Sequence, residues 1–366
     1  MNAKITSYLA RWTAWVPILA VAALILTWGR DLPPPAVIIS GLLLAGAVLA
    51  AVHHAEVVAH KVGEPFGSLV LAVAVTIIEV ALIVTLMISG GDKAQALARD
   101  TVFAAVMITV NGILGLSLLV GAIRRRVAVF HSEGTGGALA AVAMIATLSL
   151  VLPSFTTSRP GPQFSPAQLG FAAVASLGLY LLFVLVQTHR HRDYFLPITT
   201  AGEIITGEDH LEPPTRRAAL TSVGLLLVAL IAVVGLAKGV SPSIESAVAA
   251  AGMPQAVVGV VIALLVLLPE TIAAVRAAAR DRMQTSLNLA LGSAMASIGL
   301  TIPAIAIAMI WLEGPLLLGL GGTQMVLLAL TVVVGTLTVV PGRANVLQGG
   351  IHLGLLAAFL FLAASP

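Results

Sequence analysis

The sequence predicts an all-α polytopic membrane protein with about eleven transmembrane helices. Three observations lead there. Of 366 residues, 59% are hydrophobic and only 10% charged, with a mean hydropathy of +1.06, a balance that fits neither a soluble globular domain nor a disordered chain. Apolar runs long enough to cross a bilayer, about 20 residues each, recur from end to end. Basic residues gather in every second gap between those runs, as the positive-inside rule requires.

The expected spans are roughly 12–29, 35–59, 66–90, 100–122, 136–153, 166–188, 216–237, 254–275, 285–311, 315–340 and 344–364. The first follows Lys4 and Arg11 and ends in Trp28-Gly29-Arg30-Asp31 and a proline run, with no small-residue cleavage site, so it reads as an uncleaved helix. Later breaks carry turn residues, among them Pro33-Pro34-Pro35, Arg124-Arg125-Arg126, Pro160-Gly161-Pro162, Ser241-Pro242 and Gly314-Pro315. With the N-terminus cytoplasmic, only five of the 19 Lys and Arg fall outside: Arg30, Lys93, Arg99, Arg159 and Lys238. A helix added or lost early in the chain would scramble that bias, so it supports the count and puts the C-terminus outside.

The longest polar gap carries Glu203, Glu208, Asp209, His210 and Glu212. The expected organisation is therefore an N-terminal helix (1–33), a first five-helix repeat (34–190), an acidic cytoplasmic loop (191–215) and a second five-helix repeat (216–366). Two related halves with an odd number of spans insert with opposite orientation, the inverted-repeat plan of many secondary transporters. Gly63-Glu64-Pro65 precedes the second helix of one half and Gly252-Met253-Pro254 that of the other.

Those two second helices hold the costliest residues in the chain. Glu79 is the only charged residue between Glu64 and Asp92, and Glu270 the only one between Glu245 and Arg276. A carboxylate at a bilayer centre costs about 2.5–3.5 kcal/mol on insertion scales and marks an ion or substrate pathway. The helix after each is rich in small and polar residues. The first carries Thr101, Thr109, Asn111, Gly112, Gly115 and Ser117; the second carries Ser286, Asn288, Gly292, Ser293, Ser297 and Thr301. Such residues let backbones approach and offer neutral oxygens, although packing is the commoner role of any single hydroxyl.

Other polar positions weigh less. His53, Glu56 and His60 share one helical face at the cytoplasmic end of helix 2, where an inert helix end outweighs proton access or a metal site. An intramembrane metalloprotease needs a His-Glu-x-x-His helix, which the chain lacks. Glu64, near the same end, and Asp100, at the outer start of helix 4 beside Arg99, complete the candidates for gating or proton access. Asp100 reads first as a helix-end charge pair. The absence of cysteine removes thiolate metal sites and disulfides. The net charge of +3 resides in orienting loops, so no nucleic-acid partner is expected.

Three stretches carry a resemblance: GEPFGSLVLAVAVTIIEVALI at 63–83, ARDTVFAAVMITVNGILGL at 98–116 and LLPETIAAVRAAARDRMQTSLNLALGSAMASIGLTIPAI at 267–305. They resemble the two α-repeats of the calcium/cation antiporter superfamily, within it the cation/proton exchanger branch and bacterial ChaA-type Ca2+/H+ antiporters. The resemblance implies secondary antiport of Ca2+ against protons in a bacterial inner membrane, without a cofactor beyond the transported ions. Glu79 and Glu270 are the implied cation and proton ligands, with Asn111, Ser293 and Asn288 as nearby polar positions. Met295 and Ala296 stand where many cation/proton exchangers carry glutamine, and asparagine-rich second helices of the sodium/calcium type are absent. Na+ or K+ exchange on the same scaffold, or a passive cation channel, are the competing expectations. For Ca2+, two glutamates would neutralise the charge and carbonyls exposed near Pro269 would add oxygens.

Overall fold

A computed structural model of the protein describes residues 3–30, 32–63, 66–90, 95–198, 214–312 and 314–366. Eleven long helices run through them. They are α1 (Ala3–Thr27), α2 (Pro34–Val62), α3 (Phe66–Gly90), α4 (Leu97–Arg125), α5 (Ser132–Ser154), α6 (Pro166–Arg190), α7 (Arg216–Ala250), α8 (Ala256–Ala279), α9 (Met283–Ala308), α10 (Gly322–Val339) and α11 (Val346–Ala364). Among the described residues nine helices are long and apolar enough to cross a bilayer, and shorter apolar stretches, Trp12–Thr27 and Val73–Ile88, lie in α1 and α3. Together they account for the expected spans.

The chain forms two compact units. The first comprises residues 1–94 and 210–258, and the second 95–209 and 259–366. In the first, α2 packs most extensively on α7, and α1 and α3 flank both. His54 ties three of these helices, its ring bonding the Thr13 carbonyl at 3.0 Å and the Ser222 hydroxyl at 3.2 Å. In the second unit α4 packs on α11 and α9 on α6, so the third helix of each expected half meets the last helix of the other. The compact units thus cut across the two halves expected from the sequence.

Three helices depart from ideal geometry where the sequence gives reason. Helix α4 widens into a π turn at Ile108–Ile113, around Asn111-Gly112. Helix α5 ends in a π turn, Thr147–Val151, and a 3-10 turn, Leu152–Ser154, that accommodates Pro153. The last five residues of α6, Val186–Arg190, are also π-helical. Such turns leave main-chain carbonyls offset and recur at functional positions.

Two boundaries differ from expectation. Residues 315–321 are extended, not the start of a helix. Their amides donate instead to other segments: Leu317 to Gln95 O (3.1 Å), Gly319 to Pro162 O (2.9 Å) and Leu320 to Leu150 O in the π turn of α5 (2.8 Å). At Gly319 a Cβ would collide with Ser154 and Pro162, so the crossing requires glycine. Helix α7 continues through Ser241-Pro242 to Ala250. Membrane helices tolerate proline, and around it Ser241 donates to Glu245 Oε1 and Ser246 to the Pro242 carbonyl.

Within the second unit, loops expected on one side of the membrane meet one another. Segments 95, 150–162 and 317–320 join at one end through the bonds just described. At the other end Arg125 pairs with Asp281 at 2.6 Å, Arg124 donates to Ala279 O at 3.2 Å, and strand β1 (Ala128–Val129) pairs antiparallel with β2 (Arg343–Ala344).

Candidate functional site

Glu79 lies near the middle of α3, on the face that also buries Val75, Ile78, Leu82 and Leu86 at helical spacing. It is 4% exposed, whereas Val73 and Ile77 on the opposite face are 44% and 48% exposed. The apolar periodicity of the run therefore turns the single carboxylate inward. Glu270 occupies the corresponding place in α8 and is half-buried. Its predecessor, Pro269, lies inside an unbroken helix. Having no N–H, it leaves the Leu265 carbonyl one turn earlier without its usual helical donor. The next residue, Thr271, spends its hydroxyl on the Leu267 carbonyl at 2.7 Å. Glu79 belongs to the first unit; Glu270, Asn111, Asn288 and Ser293 belong to the second.

The neutral oxygens of α4 and α9 divide into spent and unspent groups. Thr109 bonds back to Ala105 O at 2.7 Å. Asn288 is engaged at both ends: its Oδ1 accepts from Gln284 Nε2 at 2.9 Å, and its Nδ2 donates to Phe195 O at 2.7 Å, fastening the turn Arg192–Phe195 to α9. Asn111 is likewise engaged, through His352 and Thr331. Among the described residues, the buried hydroxyls of Thr101 and Ser117 on α4 and of Ser286 and Thr301 on α9 have no hydrogen-bond partner. Buried polar groups are rarely left unsatisfied, so these four oxygens are available to water or a cation. Ser293 is half-buried on α9.

Ser117 and Thr301 are equivalent positions. ILGLS at 113–117 matches SIGLT at 297–301, SLGLYLLF at 176–183 matches HLGLLAAF at 352–359, and TLS at 147–149 matches TLT at 336–338. In each half the hydroxyl before the kink or end of the fourth helix bonds the first residue of the last-helix motif: Ser149 to Ser176 at 3.2 Å, and Thr338 to His352 at 3.2 Å.

Residues 34–189 and 221–364 match the sodium/calcium exchanger protein family. The chain belongs to that family. It is 46% identical over 368 residues to the candidate ionic transporter y4hA of Sinorhizobium fredii, covering 99% of this chain and 98% of that one. It is 34% identical over 348 residues to the sodium-potassium/proton antiporter ChaA of Escherichia coli, covering 94% of this chain and 93% of its relative. Its fold matches the crystal structure of an H+/Ca2+ exchanger, CAX, with a TM-score of 0.71 and 15% identity, over 99% of this chain and 93% of the other. It is thus a membrane antiporter of the calcium/cation type, cation/proton branch.

In this exchanger the remaining candidates are dispersed. Glu56 and His60 are exposed and His53 half-buried; no three or more His, Cys, Asp or Glu gather to hold a metal ion among the described residues. In the same stretch His54 bonds Thr13 and Ser222 on two other helices and packs its ring edge-on against His53. Glu64 and the loop acids from Glu203 to Glu212 lie outside the described residues. Asp100 is buried, pairs with Arg99 at 2.8 Å, and backs onto Gly259 of α8, where a Cβ would lie 3.2 Å from the Asp100 Cβ. His352, fully buried in α11, carried no signal by itself. Its match to Ser176 in the other half is the signal that singles it out.

Proposed function

We propose that this exchanger moves Ca2+ against protons by alternating access, with Glu79 and Glu270 binding the cation and protons in turn. The observation that carries the reading is a carboxylate near the middle of the second helix of each half, in a chain whose family exchanges cations. Two carboxylates neutralise a divalent ion, and the unpartnered hydroxyls on α4 and α9, with the carbonyl released by Pro269, are oxygens of the kind Ca2+ takes. Two such acids in a low-dielectric setting do not both stay charged comfortably when empty, and their protons belong to the pair. Protons and Ca2+ then compete for one set of oxygens. Coupling follows if the empty, doubly charged site is too costly to cross between inward- and outward-open states.

The expected setting is two inverted five-helix repeats in a bacterial inner membrane, with the N-terminus cytoplasmic. Support for the repeats comes from the reciprocal packing of third and last helices and from the paired motifs. Support for Ca2+ comes from the fold shared with a structure named as an H+/Ca2+ exchanger. A second reading, Na+ or K+ in exchange for protons on the same scaffold, is favoured by the name of the Escherichia coli relative.

Proteoliposomes given Ca2+, Na+ or K+ separately against a pH gradient decide between the two readings. Glu79→Gln and Glu270→Gln are each expected to abolish Ca2+-dependent proton movement in everted vesicles while the protein still inserts. Near-normal transport by either variant overturns the carboxylate reading, and Ca2+ flux without stoichiometric proton movement makes the protein a channel.

A further inference from the structure

The geometry points to His352 as a positioning residue of the exchange machinery, which fixes the Asn111 amide and with it the π turn of α4. The inference rests on the reading that α4 borders the cation route. Its basis is a chain of hydrogen bonds whose polarity can be followed from one end. Thr331 donates its hydroxyl proton to the Leu327 carbonyl at 2.8 Å, so toward Asn111 its oxygen accepts. The atom facing it at 2.9 Å is therefore the amide nitrogen, Nδ2. That leaves Asn111 Oδ1, an acceptor only, 3.1 Å from His352 Nδ1. Nδ1 accordingly carries the ring proton. Nε2 of the neutral ring then accepts from the Thr338 hydroxyl at 3.2 Å.

The chain crosses α10, α4 and α11, and all four side chains are nearly or fully buried: His352 and Asn111 0%, Thr331 1% and Thr338 2% exposed. It meets α4 at the one stretch, Ile108–Ile113, where that helix widens. The halves differ here. At the place equivalent to Asn111 the second half has Met295, and at the place of His352 the first half has Ser176, whose bond stops at Ser149. Packing therefore does not require a polar side chain at this position, because Met295 fills the equivalent place on α9. Charges on the elements around α11 are directed elsewhere. Arg124 is bonded to the Ala279 carbonyl, Arg125 to Asp281 and Arg99 to Asp100, and Arg343 is exposed.

The test uses the full chain in proteoliposomes, with transport read as half-saturating cation concentration and maximal rate separately. His352→Ala is expected to raise the half-saturating concentration roughly three- to twentyfold, the range of polar contacts between membrane helices, with a smaller change in maximal rate. His352→Gln, which keeps one donor and one acceptor, is expected to recover most of the affinity. Should His352→Ala not fold, Thr331→Val, which removes the anchor that orients the amide, is expected to act in the same direction. Independently of transport, nitrogen NMR of histidine-labelled protein should show His352 as the Nδ1–H tautomer.

An unchanged half-saturating concentration in folded His352→Ala, a Gln variant as impaired as Ala, or an Nε2–H tautomer overturns the proposal. Failure of the underlying reading is separate: there Glu79→Gln and Glu270→Gln transport normally, whereas failure of this one leaves them inactive and His352→Ala unaffected.

Discussion

Where α4 crosses α11, Gly115 faces the Cβ of His352, and the ring reaches on to Asn111. Where α9 crosses α6, Gly299 faces the Cβ of Tyr180, and Ser176 bonds Ser149. A Cβ added at Gly115 would lie 2.7 Å from His352 Cβ, and one at Gly299 would lie 2.9 Å from Tyr180 Cβ. Both crossings thus set a glycine of the third helix against a Cβ of the last helix, one turn apart along the matched motifs. Their polar content differs. A close approach recurs where the third helix of each expected half meets a last helix, whereas among the described residues the buried hydrogen-bond chain through a histidine runs between α4, α10 and α11. A feature that symmetry repeats is explained by packing; one that breaks the symmetry asks for a different cause.

The largest effect expected from testing this comparison is at Asn111. Asn111→Leu takes the acceptor from His352 Nδ1 and the amide donor from Thr331, a loss of about 1–3 kcal/mol, while Met295→Leu at the equivalent place conserves volume and costs under about 1.5 kcal/mol. Thermal unfolding in detergent measures both, and equal losses would dissolve the asymmetry. Next come the glycines. Gly115→Ala and Gly299→Ala each force a Cβ into occupied space and should destabilise by about 1–3 kcal/mol, alike within error; a tolerated alanine at only one would show that the crossings are not equivalent. The smallest effect is at the fourth helices. Ser149→Ala removes one hydroxyl pair, worth about 0.6 kcal/mol between membrane helices, and Thr338→Val should exceed it because His352 Nε2 loses its donor.

Helix positions were legible because a bilayer admits few solutions: a run of about 20 apolar residues with charges at its ends has to be a span. The inward aim of Glu79 was legible for the same reason, since one carboxylate among Val, Ile and Leu has one face to occupy. The extended stretch 315–321 was not, because its apolar residues read as helix until the carbonyls of Gln95, Leu150 and Pro162 are brought to its amides. Nor was the engagement of Asn111 and Asn288. As isolated amides they looked like spare ligands, yet their partners lie 241 and 93 residues away in the chain.

By itself, the sequence determined that this chain spans the membrane, roughly where its spans lie, and that one acid sits near the middle of each of two apolar runs. Those properties follow from transfer energies, which depend on residue type and run length. Only the tertiary structure decided which neutral oxygens remain unspent, which histidine is tied to Asn111, and where α4 opens into a π turn. Hydrogen bonds are short and directional, so whether a polar group is satisfied depends on which distant segment folds against it.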